Sequence, residues 1–196
     1  MASRRKRRPV IGLAMTSVDA HTLGVSFLSE LLSESGYRTV TADSSVRDAL
    51  DNPQKLNNAG LIEKWIRDND INLLGFSYRL DPNDAVDTFG RLMYQLADRK
   101  MFKEDGGPLS RVYFAGLPDA SRRVSGMYDG RVGTFCGDET PRETFEKLGL
   151  DISDAPAEFM ETHPYDDMLM DFGRYVIQKG DYLSVKPVKR RYPEFG

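Results

Sequence analysis

Short, continuous apolar runs alternate along this chain with stretches whose apolar residues recur every three or four positions. Residues 9–15 (PVIGLAM) are the first run, bounded by polar residues, the pattern of a strand buried on both faces of a parallel sheet. A loop, TSVDAHTLG, follows over 16–24. Residues 25–34 then put Phe27, Leu28, Leu31 and Leu32 on one helical face, with Gly36 at the position of a C-terminal cap. Residues 37–41 read as a second strand. Residues 46–60 are polar, show no clear period and contain Pro53 as a breaker. Leu61, Ile62, Trp65 and Ile66 stripe a helix over 61–67, and 71–77 (INLLGFS) is a third strand. A helix over 82–101 carries Phe89, Leu92, Met93 and Leu96 on one face, with Asp81 or Asn83 as its cap. Residues 102–109 (FKEDGGPL) form a turn-rich insertion before a fourth strand at 111–116. A short helix over 118–128 and a fifth strand at 132–136 follow. Residues 140–148 open with Thr140 as N-cap, Pro141 in the first helical position and Glu143 in the third, a capping box with a proline start. A final amphipathic helix is predicted over 164–178.

Strand and helix thus alternate five times, which implies a parallel sheet covered by helices on both faces. The expected fold is α/β, a five-stranded parallel sheet in a flavodoxin-like (Rossmann-like) three-layer α/β/α arrangement with strand order 2-1-3-4-5. The chain divides into a basic tail at 1–8, a ligand-binding domain at 9–150, a helical extension at 151–180 and a tail or linker at 181–196. In this architecture ligands bind outside the carboxyl ends of the strands, beside strand 1 where the order reverses.

Composition narrows the chemistry. A chain of 196 residues, 40% hydrophobic, suits one core, burying roughly 70% of its unfolded surface. It has no apolar run near the roughly 20 residues of a membrane span and no secretory signal. The single cysteine, Cys136, excludes an internal disulfide framework and a cysteine-built zinc or iron–sulfur site, and makes the cytoplasm the expected compartment. Only His21 and His163 offer imidazoles. Net charge is -3, yet residues 4–8 (RRKRR) and 186–191 (KPVKRR) are basic, so the middle is acidic. An acidic body argues against nucleic-acid binding, and the basic ends read as solvated tails.

The strand ends hold the candidate chemistry. Asp19-Ala20-His21-Thr22-Leu23-Gly24 follows the first strand, Ser77-Tyr78-Arg79-Leu80 the third, Ala115-Gly116 closes the fourth and Cys136-Gly137 the fifth. A neutral imidazole is a good transition-metal ligand, and its second nitrogen normally donates to a carboxylate that fixes the tautomer. Asp19, two residues before His21, suits that role. One histidine and one carboxylate cannot close a protein metal site, which needs about four ligands. They suit a metal that carries its own ring of ligands. The bland alternative is that Asp19 and His21 cap and solvate a loop. Neither Gly-x-Gly-x-x-Gly nor a phosphate-cradling P-loop follows the first strand. A flavin site is hinted at only by Thr16 and Ser17, and leaves His21 unexplained. Cys136 reads as a buried small hydrophobe.

Asp19-x-His21-x-x-Gly24, placed directly after the first strand, resembles the Asp-x-His-x-x-Gly signature of cobalamin (vitamin B12)-binding domains, over roughly residues 9–150. The resemblance implies that His21 replaces the cofactor's own base on cobalt, that Asp19 hydrogen-bonds His21, and that the displaced nucleotide tail enters the switch-point cleft. It implies cofactor contacts at Thr22, Gly24, Ser77, Arg79, Gly116, Cys136 and Gly137, with Ser77 and Gly116 matching a serine after strand 3 and one glycine of a pair after strand 4. The family's serine–any–leucine motif appears with leucine one position late, at Leu80, and 52 residues separate Gly24 from Ser77, more than is usual. The layout is similar to the small cobalamin-binding subunit of carbon-skeleton mutases such as glutamate mutase. That implies adenosylcobalamin (methylcobalamin being the other option) and a separate catalytic barrel subunit or domain. The alternative is a non-catalytic cobalamin carrier, sensor or accessory domain of a methyltransferase or radical SAM system.

Overall fold

All five predicted strands join one sheet in the computed structural model, which describes residues 8–156. The strands are β1 (Val10–Met15), β2 (Arg38–Thr41), β3 (Ile71–Tyr78), β4 (Arg111–Gly116) and β5 (Val132–Phe135). Every pairing is parallel and the order is β2-β1-β3-β4-β5. The helices are α1 (Thr22–Glu34), α2 (Ser44–Asp51), α3 (Leu56–Asp68), α4 (Pro82–Asp98), α5 (Pro118–Tyr128) and α6 (Pro141–Leu148). The chain therefore has the expected three-layer, flavodoxin-like α/β fold. No helix among the described residues is long and apolar enough to cross a membrane.

Side chains alternate between the two faces of the sheet, so register decides what each face presents. One face carries Ala14, Leu74, Phe76, Val112 and Phe114 beneath α2, α3, α4 and α5. Phe76, Phe89 and Phe114 pack there with ring centroids 5.1–6.4 Å apart. The other face carries Ile11, Leu13, Leu73 and Tyr113 beneath α1 and α6, with Leu150, Ile152 and Ala155 packed beside them. Its middle row holds the small residues Gly75, Ser77 and Ala115. Among the described residues two helices cover this face, and the cavity described below lies at its centre.

Local signals explain most boundaries. Helix α1 ends in a Schellman motif: Gly36 takes φ 77°, and Tyr37 N–H reaches Leu32 O at 2.9 Å. Asp81 caps α4, accepting from Asn83 N–H at 2.8 Å and Asp84 N–H at 3.1 Å. Both halves of the Thr140–Glu143 capping box are present. The segment read as polar and featureless contains a full helix, α2, whose apolar positions are Val46, Ala49 and Leu50. That i, i+3, i+4 set is too short to register as a period, and Asp43 supplies its cap, accepting from Val46 N–H at 2.9 Å. Helix α1 begins at Thr22, three residues before the predicted start, which moves Thr22 and Gly24 from a loop into its first turn. Strand β5 ends at Phe135, so Cys136 lies just past it and is half-buried rather than buried.

Arg8, from the basic run, is fixed to the domain. It donates to Ser35 O at 2.8 Å, pairs with Asp154 and lies over the Tyr37 ring at 5.0 Å. His163, the helix predicted over 164–178 and the basic run at 186–191 lie outside the described residues.

Glu63 links α3 to the turn after α4, accepting from Arg99 Nη1 at 2.7 Å and Arg67 Nε at 2.9 Å. These two guanidinium hydrogen bonds hold its carboxyl below the ordinary value of 4.5. A depressed carboxyl stabilises the fold above its unfolded value, and this contribution is lost as pH falls through the folded one. Glu63→Gln should therefore cost roughly 1 kcal/mol at pH 7. Its urea midpoint should converge with wild type as pH drops below about 4.5.

Candidate functional site

The loop between β1 and α1 places an exposed imidazole over a buried carboxylate. The Asp19 side chain is 0% exposed and that of His21 56%. Asp19 Oδ1 accepts from the His21 backbone N–H at 2.9 Å and lies 2.7 Å from His21 Nδ1. Asp19 Oδ2 accepts from the Arg79 backbone N–H, at the end of β3, at 2.7 Å. The carboxylate thus ties the first strand's loop to the third strand's loop across the switch point. With Nδ1–H donated to Asp19, the His21 lone pair sits on Nε2, which makes no hydrogen bond to any described residue. His21 is itself the N-cap residue of α1, without a side-chain capping bond, so the ring does not serve the helix.

Beneath His21 lies a cavity of about 500 Å³ between the sheet and helices α1 and α6, within the range of small-molecule and cofactor sites. Its mouth is polar, formed by His21, Thr22, Ser77, Arg79 and the backbone at Gly116 and Gly137. Its deep end is apolar, with Ile11, Leu28, Leu31, Tyr113 and Leu148. The Tyr113 hydroxyl there donates to Leu148 O at 3.0 Å, and burial pushes its pKa up. The cavity is thus polar at one end and apolar at the other.

Eight of the nine predicted site residues line this cavity, and the ninth, Asp19, lies under its rim. Their roles differ. At Gly24 an added Cβ would meet nothing within 4 Å, so the protein's own packing does not demand a glycine there. At Gly116 a Cβ would come within 2.6 Å of the Phe114 ring, so the core on the opposite face requires that glycine. Ser77 is buried and its hydroxyl makes no hydrogen bond to a described residue, leaving it available at the cavity wall. Arg79 anchors Asp19 through its backbone while its guanidinium reaches Cys136 O at 3.3 Å, bridging the mouth to β5. Gly137 adopts φ 93°, which lets the Cys136 and Gly137 amides converge on Glu139 at 2.9–3.2 Å. Lys147 also holds Glu139, at 2.6 Å.

Cys136, Asp138 and Glu139 bring potential metal ligands within 4.8 Å of one another. The Glu139 oxygens are committed to two amides and Lys147, so the cluster locks the loop after β5. His21 belongs to no group of three such ligands among the described residues. Its imidazole stands apart from that cluster, with Asp19 as its carboxylate partner.

Sequence reasoning missed Arg47, Asp51 and Glu139, which act on the site through backbone groups, and the small floor residues Gly75 and Ala115. The floor becomes visible only once strand register is known. No protein-family model matches the chain, and no curated protein matches it in sequence.

Proposed function

We propose that this chain binds cobalamin, with His21 as the protein ligand to cobalt and the cavity beneath it as the seat of the nucleotide tail. The observation that carries this reading is the exposed imidazole held by a buried carboxylate above a 500 Å³ cavity at the sheet's switch point. Three further features fit the group. The metal would arrive with its own ring, so one protein ligand suffices. Val18 and Leu80, 59% and 39% exposed, flank Asp19 and Arg79 in the two joined loops. They offer apolar contacts to a flat macrocycle. Gly24 leaves open space where a ligand must approach closely.

In this reading Asp19 orients His21 and strengthens it as a ligand. Thr22, Gly24, Ser77 and Arg79 line the mouth, and Gly116, Cys136 and Gly137 close its far side. When bound, adenosylcobalamin supplies radical chemistry that no side chain of this chain provides. The protein's share is ligation, positioning and exclusion of water. The reading extends to the cofactor-binding component of a carbon-skeleton mutase acting with a separate catalytic barrel subunit. The single cysteine suits a reducing cytoplasm.

Titration of the full chain with adenosylcobalamin or aquocobalamin, followed by visible absorbance, should show saturable binding at micromolar concentration. Absence of binding there overturns the reading. Addition of a candidate barrel partner then separates the two roles: turnover supports a mutase component, and binding without turnover supports a carrier.

A further inference from the structure

The segment that lengthens the chain between Gly24 and Ser77 folds as α2, and α2 grips the loop that carries His21. Asp51, the last residue of α2, accepts from the Ser17 backbone N–H at 2.9 Å and from the Ser17 hydroxyl. Arg47, one turn earlier, spans the carbonyls of Thr16 and Asp19 at 3.4 and 3.3 Å. With the Asp19 carboxylate accepting from the amides of His21 and Arg79, the loop is pinned on both sides. Arg47 contributes only this fastening to the site, because it does not line the cavity. Its Nε is buried without a partner, a cost that a purely solvent-facing arginine would not carry.

We propose that Asp51 and Arg47 are positioning residues that hold the His21 loop in its ligating geometry before any ligand arrives. The inference rests on the reading of His21 as a cobalt ligand. A loop ordered in advance loses less conformational freedom on binding, so its hold is expressed as affinity.

The test uses the full chain and diaquocobinamide, a corrinoid without a nucleotide tail. Its binding reports presentation of the imidazole without a contribution from the cavity. Wild type should coordinate it, seen as the visible-absorbance change of imidazole ligation. Asp51→Ala should weaken that coordination about 10-fold, the lower end of the loss seen when support of a metal ligand is removed. Arg47→Met should shift it in the same direction by less. Asp51→Asn should restore most of the affinity. Its amide oxygen still accepts from Ser17 N–H, and its NH2 can donate to the hydroxyl. A merely structural role would lower the melting temperature of Asp51→Ala while leaving coordination unchanged, and that result overturns the inference. If Asp51→Ala fails to fold, the Arg47→Met and Asp51→Asn pair decides: unchanged coordination in Arg47→Met is then the overturning outcome. Failure of wild type to coordinate either cobinamide or cobalamin overturns the reading beneath it. Coordination of both with no effect of the variants overturns this inference alone.

Discussion

His21→Ala is expected to lower cobalamin affinity by roughly 100-fold or more and to abolish ligation of cobalt by protein nitrogen. Removing only the outer partner of a metal-bound histidine already costs 10–100-fold, and here the ligand itself is lost. In the reduced cobalt(II) state, electron paramagnetic resonance reads the ligand directly. Wild type should show hyperfine splitting from an axial nitrogen, and heavy-nitrogen labelling of the protein should change the pattern, which assigns it to the chain and not to the cofactor's own base. The label should have no effect in His21→Ala. The substitution leaves the fold intact for an identifiable reason. The buried Asp19 carboxylate still accepts from the backbone N–H of residue 21 and from Arg79 N–H, so no unpaired buried charge results. The lost ring is 56% exposed, and stability should stay within about 0.5 kcal/mol. Label-sensitive splitting that persists in His21→Ala would remove His21 from the site.

The parts of this architecture legible in the sequence are those written in neighbouring residues. All six β1 residues are buried and apolar or small, which a continuous run announces. The Thr140–Glu143 box lies within four positions. Asp19 and His21 are two residues apart at a strand end, so their hydrogen bond follows from local geometry once the strand is placed. What stayed hidden depends on distant partners. The third bond to Asp19 comes from Arg79, 60 positions away, and nothing in the residue type at 79 signals a role played by its backbone. The sequence of α2 is polar without a clear period because its three buried apolar residues, Val46, Ala49 and Leu50, do not make one. Its purpose is visible only in the contacts of Asp51 and Arg47 with the β1–α1 loop, 34 and about 30 positions earlier. Gly116 lines the cavity, yet the reason its own packing needs a glycine, the Phe114 ring behind the sheet, is equally invisible in the sequence.

Gly75→Leu should close the cavity without harming the fold, and so separate tail binding from cobalt ligation. Gly75 lies mid-strand in β3, opposite Leu13 and Tyr113 on its neighbours. A Cβ added there meets Leu13 Cδ2 at 3.5 Å and Gly12 O at 3.7 Å, both ordinary contacts. The rest of a leucine side chain has one direction open to it, into the 500 Å³ space that Gly75 lines. Glycine in a strand interior packs nothing, and each newly buried methylene contributes about 0.8 kcal/mol. The variant should therefore melt no lower than wild type. Its affinity for cobalamin should fall by roughly 100-fold, because overfilling a packed cavity costs about 1–3 kcal/mol and the tail loses its apolar seat as well. Its affinity for tail-less cobinamide should be unchanged, because that corrinoid has no nucleotide tail to compete with the added side chain for the cavity. Equal cobalamin affinity in Gly75→Leu and wild type would show that the ligand does not use the cavity. An equal loss for both corrinoids would show that the added side chain disturbs the mouth. Only the split between them assigns the polar rim to the metal and the apolar depth to the tail.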